Sequence, residues 1–120
     1  MTTEPARFRR MLHPVTHIDK AVRFYRDVFG FVPVFVDGDR YASLTAGDSG
    51  LDLAGPAEDV TGGVAAAVAK VPDVVAATDC VRAAGGVVVR PPERGPHEVR
   101  AVVDDPWGNR IVLYASTGGS

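Results

Sequence analysis

The sequence predicts an α+β fold made of two βαβββ modules, whose curved mixed sheets surround a cleft. Two segments carry apolar residues at helical spacing, and each is followed by three short stretches with a strand-like pattern. A shift of about 56 residues superimposes the two patterns, so that Val15 falls on Val71 and Gly30 on Gly86. A cleft between curved sheets is the natural place for a ligand.

The composition indicates one compact domain, residues 1–120, with modules at residues 8–55 and 63–115 joined by a linker at residues 56–62. A hydrophobic fraction of 46% can form a core at this length. The net charge of −2 argues against a nucleic-acid partner, which requires a clustered basic surface. The sequence has no signal-peptide pattern and no apolar run of membrane-spanning length, so we expect a cytoplasmic protein with no membrane partner. Cys80 is the single cysteine and is expected to be a packing residue.

The first module is predicted to begin with a strand at residues 8–15 and a helix capped by Thr16 or His17. Gly30 is expected to end this helix in the left-handed conformation. The buried stripe of the helix is predicted to contain Ile18, Ala21, Val22, Tyr25, Val28 and Phe29. Three strands follow, at residues 31–36, 41–46 and 51–54.

The second module is predicted to begin with a strand at residues 64–71, with Pro72 at the first helical position. The stripe of this helix contains Val74, Ala77, Val81 and Ala84, and the helix ends at the pair Gly85-Gly86. The remaining strands are predicted at residues 87–89, 99–103 and 110–115. A turn at residues 105–109 joins the last two strands, because Pro106 fixes its own φ and Gly108 or Asn109 can adopt a positive φ.

Two motifs resemble those of the vicinal oxygen chelate superfamily, which includes glyoxalase I, extradiol dioxygenases, methylmalonyl-CoA epimerase and the bleomycin-resistance proteins. The first motif runs through the first helix and contains Val15, Val22, Phe24, Tyr25, Val28, Phe29, Gly30 and Phe31. The second is Asp105-Pro106-Trp107-Gly108-Asn109-x-Ile111-x-Leu113. With the repeat, the resemblance covers residues 8–115 and implies the glyoxalase/bleomycin-resistance-like fold.

The resemblance also implies four cavity-facing strand positions that hold a divalent metal through His and Glu side chains. Here these positions carry Arg10, Asp52, Ala66 and Val112, and only one of these can donate to a metal. We therefore expect no metal cofactor. A slipped register in the first strand would turn His13 inward, with Asp52, His97 or Glu98 completing a set. The alternative is that His13 faces the helix and has its own hydrogen bond.

Arg10 and Asp52 are expected to share a face of the first module and to form an ion pair, because a buried unpaired charge is very costly. The pair is either a strut in place of the metal or a holder for an anionic ligand. The other ligand-binding candidates are Phe35, Tyr41, Trp107, Tyr114 and Arg100. Phe35 and Tyr41 could instead pack across strands, Trp107 could lie at a cleft rim or a dimer contact, and Arg110 is expected to be solvated. Tyr114 should face the cavity, whereas the facing of Arg100 stays open.

The resemblance, without metal ligands, implies a homodimeric protein of the bleomycin-resistance type, which sequesters a small organic ligand. The alternative is a glyoxalase- or dioxygenase-like enzyme that acts on a small carbonyl or aromatic substrate. In a metal-free enzyme, Asp52 would be the base and Arg10 the electrostatic stabiliser. A scaffold or partner-binding module is the third hypothesis. No catalytic residue is assigned from the sequence.

Overall fold

The computed structural model describes residues 5–117, and within them the chain forms eight strands and two helices. This confirms the α+β class and the order of elements within each module. The elements are β1 (Arg7–Pro14), α1 (Ile18–Phe29), β2 (Val32–Asp37), β3 (Tyr41–Ala46), β4 (Ser49–Ala54), β5 (Ala66–Lys70), α2 (Val74–Ala83), β6 (Val87–Arg94), β7 (Glu98–Asp104) and β8 (Arg110–Ser116).

Each module has the same mixed strand topology. In the first, β4 lies between β3, which is antiparallel to it, and β1, which is parallel to it, and β2 pairs with β3. In the second, β8 lies between antiparallel β7 and parallel β5, and β6 pairs with β7. Arg10–Ala65 form one compact unit, and residues 5–9 belong with residues 66–117 to the other. No helix within residues 5–117 is both long and apolar enough to cross a membrane.

The core of the first unit lies between α1 and one face of its sheet. Ile18 and Val22 of the helix pack against buried side chains of β3 and β4, among them Leu44 and Leu53. The predicted helical stripe is therefore correct at its centre. It is wrong at its end, because Val28 and Phe29 are each 58% exposed. These two residues follow the helical period, but Phe29 contacts the rings of its neighbours, such as Tyr25 and Phe31, and does not join the buried cluster.

Both ends of α1 are stabilised, although by different means. His17 occupies the N-cap position without a side-chain cap, and the N–H of Ile18 instead donates to Asp39 Oδ1 in the β2–β3 turn at 3.1 Å. Gly30 ends the helix with φ +75°, and its N–H donates to the carbonyl of Arg26. The left-handed glycine was predicted correctly, whereas the capping carboxylate comes from a distant turn.

The core of the second unit repeats this arrangement around α2. Val71 and Val74 pack against Ala101, Val103 and Leu113. Asp73 is the N-cap, with its carboxylate accepting from the N–H of Ala76 at 3.1 Å. The prediction that Pro72 is the first helical residue is therefore wrong, since Pro72 precedes the cap. The short side chain of Asp73 lets its carboxylate accept a hydrogen bond from a backbone N–H of the first helical turn.

The two glycines after α2 divide the role that Gly30 has in the first module. Gly85 adopts the positive φ, +95°, whereas a Cβ on Gly86 would lie 2.6 Å from the carbonyl oxygen of Asp104 and 2.6 Å from Val81 Cγ1. In conformation, the residue that corresponds to Gly30 is thus Gly85, one residue before the predicted match Gly86. Gly86 is required by the close approach of the chain to β7.

The turn between β7 and β8 is organised by Asp105. Its carboxylate accepts from the backbone N–H groups of Trp107 and Asn109 and from the side-chain amide of Asn109, each at 2.9 Å. The hydrogen bonds from Asn109, with smaller help from Trp107 and Gly108, hold the pKa of Asp105 below its ordinary value. Gly108 adopts φ +90°, as predicted for this turn.

The expectation that Arg110 is solvated is wrong. Arg110 forms a bidentate ion pair at the base of this turn. Its Nε and Nη2 donate to Asp104 Oδ1 and Oδ2 at 2.8 and 2.9 Å. The hydrogen bonds and positive charge of Arg110 hold the pKa of Asp104 below its ordinary value, and Asp104 raises the pKa of Arg110. The register pairs the two residues directly across β7 and β8.

Replacing Gly86 by alanine is expected to lower the free energy of unfolding by about 1–3 kcal/mol, because the added methyl group overpacks a tight contact. Gly50→Ala is the control, since a Cβ there meets its nearest neighbour, Arg10 Cβ, at an ordinary 3.6 Å. Denaturant unfolding of both variants measures the difference. Equal stability of Gly86→Ala and the parent protein would contradict the crowded contact.

The Asp104–Arg110 pair is expected to make stability depend on acid pH. Because the folded pKa of Asp104 is lowered, its contribution is complete above about pH 4, the ordinary range for aspartate, and is lost as pH falls through the folded value. Asp104→Asn should therefore lower unfolding free energy most near neutral pH, with the difference shrinking below about pH 4.

Asp79→Asn is the control for this prediction. Its partner Arg82 also lies on α2, at 3.3 Å; both side chains are exposed, and such pairs contribute little. Urea unfolding followed from pH 7 to pH 2 measures both variants. A constant difference for Asp104→Asn across this range would contradict the prediction.

Candidate functional site

The candidate site lies on the face of the first sheet opposite α1. Successive residues of a strand point to opposite faces, so the strand that buries Leu51 and Leu53 in the core turns Asp52 to the other side. Asp52 is 6% exposed, and it is the only charged residue within residues 5–117 that is buried. Its neighbours across the sheet are Leu12 of β1 and Ser43 of β3. A buried carboxylate must be satisfied by other groups of the protein.

Three side chains donate hydrogen bonds to the Asp52 carboxylate. Arg10 Nη1 donates to Oδ1 at 3.1 Å, and Ser43 Oγ donates to the same oxygen at 2.7 Å. Tyr41 Oη donates a hydrogen bond to Oδ2. The predicted ion pair between Arg10 and Asp52 is confirmed. Ser43 was missed by the sequence reasoning, although its position two residues after Tyr41 on an alternating strand indicates that the two share a face.

Arg10 is the accessible member of this network. Its side chain is 32% exposed, against 8% for the Asp52 side chain. A guanidinium has five N–H donors, and among the described residues Arg10 donates to Asp52 alone. The ion pair fixes the position of the positive charge and leaves other N–H groups for a ligand. The network can therefore hold an oxyanion or a carbonyl oxygen.

Phe35 adds an apolar surface to the same face. It pairs with Ser43 in the β2–β3 register and is 55% exposed, so it is not part of the core. Tyr41 lies on the same face and contacts Asp52 through its hydroxyl group. The first module thus brings together four of the predicted ligand-binding residues, and their role in binding stays a prediction.

The second unit places two further candidates on its own helix-free face. Tyr114 pairs with Arg100 across β7 and β8, and both share the parity of Val112. The facing of Arg100, which the sequence left open, is therefore that of Tyr114. Arg100 Nη1 lies 3.7 Å from Glu98 Oε2 in an exposed ion pair.

Trp107 is separate from these two residues. It is 83% exposed in the β7–β8 turn and borders a small apolar pocket of about 300 Å³ with Val81 of α2 and Ile111 of β8. Ile111 packs with the α2 core, on the face opposite Tyr114. The structure therefore does not bring Trp107 together with Tyr114 and Arg100.

The four positions at which the resemblance implies metal ligands do not fit a divalent metal. Ala66 and Val112 are buried and apolar, Arg10 is a cation, and the oxygens of Asp52 already accept from three donors. Within residues 5–117, no group of three or more His, Cys, Asp or Glu side chains is arranged to hold a metal ion.

His13 does not turn toward this face. It lies on the α1 side of β1, where its Nδ1 is 3.1 Å from the hydroxyl oxygen of Tyr25. The slipped register is therefore wrong, and the alternative of a helix-facing histidine with its own hydrogen bond is confirmed.

Replacing Asp52 by asparagine is expected to lower the free energy of unfolding by about 1–3 kcal/mol, because the amide nitrogen would face a donor and leave a buried group unsatisfied. Asp48→Asn, at an exposed turn position, is the matched control and should change stability by less than about 0.5 kcal/mol. Denaturant unfolding at neutral pH compares them. A loss of the same size in both variants would show that the network around Asp52 contributes nothing of its own.

A sequence relative and two solved structures are similar to this chain over most of its length. An uncharacterized protein of Mycolicibacterium smegmatis is 36% identical over 99 residues, which cover 82% of this chain and 84% of that protein. A glyoxalase/bleomycin resistance protein/dioxygenase superfamily member from Vibrio splendidus 12B01 has a TM-score of 0.70 at 19% identity, covering 92% of this chain and 99% of that one. Methylmalonyl-CoA epimerase from Mycobacterium tuberculosis has a TM-score of 0.67 at 19% identity, covering 98% and 93%.

The two structures share the fold of this chain, and at these identities they carry no information about its ligand. The sequence profile of one family matches residues 7–113, which include both motifs and both helices. The protein belongs to the glyoxalase/bleomycin resistance protein/dioxygenase superfamily.

Proposed function

We propose that this protein binds a small organic molecule without a metal cofactor, as the sequestering members of its superfamily do. The ligand would place a carboxylate or an enolate-like oxygen against Arg10. The observation that carries the proposal is the arginine itself, which stands at a metal-ligand position and is held there by a buried carboxylate. Charge-assisted hydrogen bonds from a guanidinium to an oxyanion are strong and geometrically specific.

The hydrogen bonds of Asp52 support a binding role rather than proton transfer. A general base needs an oxygen that faces the proton it removes. Both oxygens of Asp52 accept hydrogen bonds from Arg10, Ser43 or Tyr41, and the residue is almost fully buried. A substrate proton could reach the carboxylate only if one of these donors moved away. Asp52 is therefore better suited to positioning Arg10 than to catalysis.

The aromatic residues indicate a planar ligand. Phe35 exposes its ring on the face that carries Arg10, and Tyr41 lies on the same face. A flat molecule with a carboxylate could pack on the ring and bind the guanidinium at once. On the second module, Tyr114 and Arg100 offer the same combination of a ring and a guanidinium. We propose that these residues, too, bind ligand.

The proposal includes a homodimer located in the cytoplasm. Self-association is supported by exposed apolar side chains on β2 and at the end of α1. They include Val32, Val34, Val36, Val28 and Phe29, each at least half exposed. Large exposed apolar patches are typical of interaction surfaces.

Calorimetric titration with planar aromatic carboxylates and their neutral carboxamide analogues tests the ligand class. The carboxylates should bind saturably and more tightly than the amides. Arg10→Gln should weaken carboxylate binding by about tenfold or more, the effect of losing a hydrogen bond to a charged group. Arg23→Gln, on the exposed surface of α1, is the control, because it removes the same positive charge. It should bind the carboxylates as the parent protein does.

Equal binding by Arg10→Gln and the parent protein would contradict the assignment of Arg10. Elemental analysis of protein purified without chelators is the second measurement, and a stoichiometric divalent metal would contradict a metal-free site. Conversion of a bound carboxylate to a product would replace the binding function by that of an enzyme.

A further inference from the structure

The second compact unit contains a pocket of basic character. It is a pocket of about 280 Å³ whose lining residues all belong to the second compact unit. Within residues 5–117, the lining consists of Pro5, Arg7, Arg9, Lys70, Val71 and Pro72. Three of these six described residues are cations and none is acidic. The pocket therefore collects positive charge in a chain whose net charge is −2.

The strand pattern distinguishes the cations of this pocket from Arg10. Arg7 and Arg9 are alternate residues of β1 and share one face, whereas Arg10 projects to the other face and pairs with Asp52. Lys70 is the last residue of β5, and Val71 and Pro72 lead from it to the cap of α2. The three cations thus come from the beginning of one strand and the end of another.

The corresponding pocket of the first unit is not basic. The repeat matches Pro14, Val15 and Thr16 with Lys70, Val71 and Pro72, and these three residues line a pocket of about 580 Å³. Its one charged lining residue is Asp59, whose carboxylate accepts hydrogen bonds from Thr61 and Gly63. The duplicated fold therefore does not by itself produce a cationic pocket at this place.

The cations of the basic pocket have no acidic partner in the part of the chain that the structure describes. Within residues 5–117 none of the three forms an ion pair. Seven other arginines do form ion pairs, namely Arg10, Arg23, Arg26, Arg40, Arg82, Arg100 and Arg110. Like charges placed around one cavity repel each other, and an anion bound among them relieves this repulsion.

We propose that this pocket binds the phosphate group of a small phosphorylated molecule. Three cations favour a dianion over a single carboxylate, and the guanidinium groups of Arg7 and Arg9 match the geometry of phosphate oxygens. The volume lies just below the range of about 300–1,000 Å³ that is typical of sites for drug-sized ligands. It therefore suits a compact metabolite, and Pro5, Val71 and Pro72 provide apolar contacts for its carbon atoms.

Titration with inorganic pyrophosphate, followed by the backbone amide NMR signals, tests this site. Saturable shifts are expected for the amides of residues 7–9 and 70–71. The double variant Arg7→Gln/Arg9→Gln should raise the dissociation constant by about tenfold or more, the effect of losing hydrogen bonds between charged groups. The double variant Lys20→Gln/Arg23→Gln is the control, because it removes the same charge from the exposed surface of α1 and should retain the parent affinity.

Three results would overturn the proposal: shifts that do not saturate, shifts that are centred elsewhere, or equal weakening in the two double variants. Thermal unfolding of each variant without pyrophosphate shows whether it is folded. Both double variants are expected to fold, because all four substituted side chains are exposed. The result is independent of the ligand proposed for Arg10. Carboxylate binding is measured by calorimetry on a different variant, so either site can fail while the other is retained.

Discussion

One buried carboxylate constrains the first module, because Asp52 cannot leave water unless protein groups replace its hydration. Ser43 and Tyr41 of β3 and Arg10 of β1 supply these groups from the two strands that flank β4. A slip of one residue in β3 would bring Ala42 to the carboxylate and move the polar side chains into the core. The polar network and the hydrophobic core therefore depend on the same register.

The elements of the fold were predictable from the sequence where the signals are local. Helical and strand periods and the left-handed Gly30 each depend on residues close together in the chain. The internal repeat strengthened the prediction of these elements, because the same pattern occurs twice. The errors arose from contacts between distant residues. Asp39 caps α1 from a turn beyond β2, and the carbonyl of Asp104 crowds Gly86 from β7. No local pattern encodes either contact. Likewise, Val28 and Phe29 follow the helical period, yet each is 58% exposed, because burial depends on which distant elements pack over the helix.

The candidate site was predictable where strand alternation and the family resemblance determine which face a residue occupies. Arg10 and Asp52 were paired correctly because their parity and the parallel order of β1 and β4 place them on one face. Ser43 follows from the same alternation and was overlooked. Arg100 was different, because an isolated strand has two equivalent faces and only its pairing with Tyr114 distinguishes them. The position of Trp107 depends on the path of a turn, which alternation does not describe.

The two proposed sites differ in the range over which they act. At Arg10 the positive charge is balanced by Asp52, so attraction for an anion falls off quickly and specificity must come from hydrogen-bond geometry and from the ring of Phe35. Because the guanidinium is already fixed, little side-chain entropy is lost when a ligand binds. At Arg7 the charges have no such balance among the described residues. Their attraction extends over a Debye length, about 8 Å at physiological ionic strength, and is screened by salt. Binding at the first site should thus be selective and nearly independent of salt, whereas binding at the second should be less selective and strongly salt-dependent.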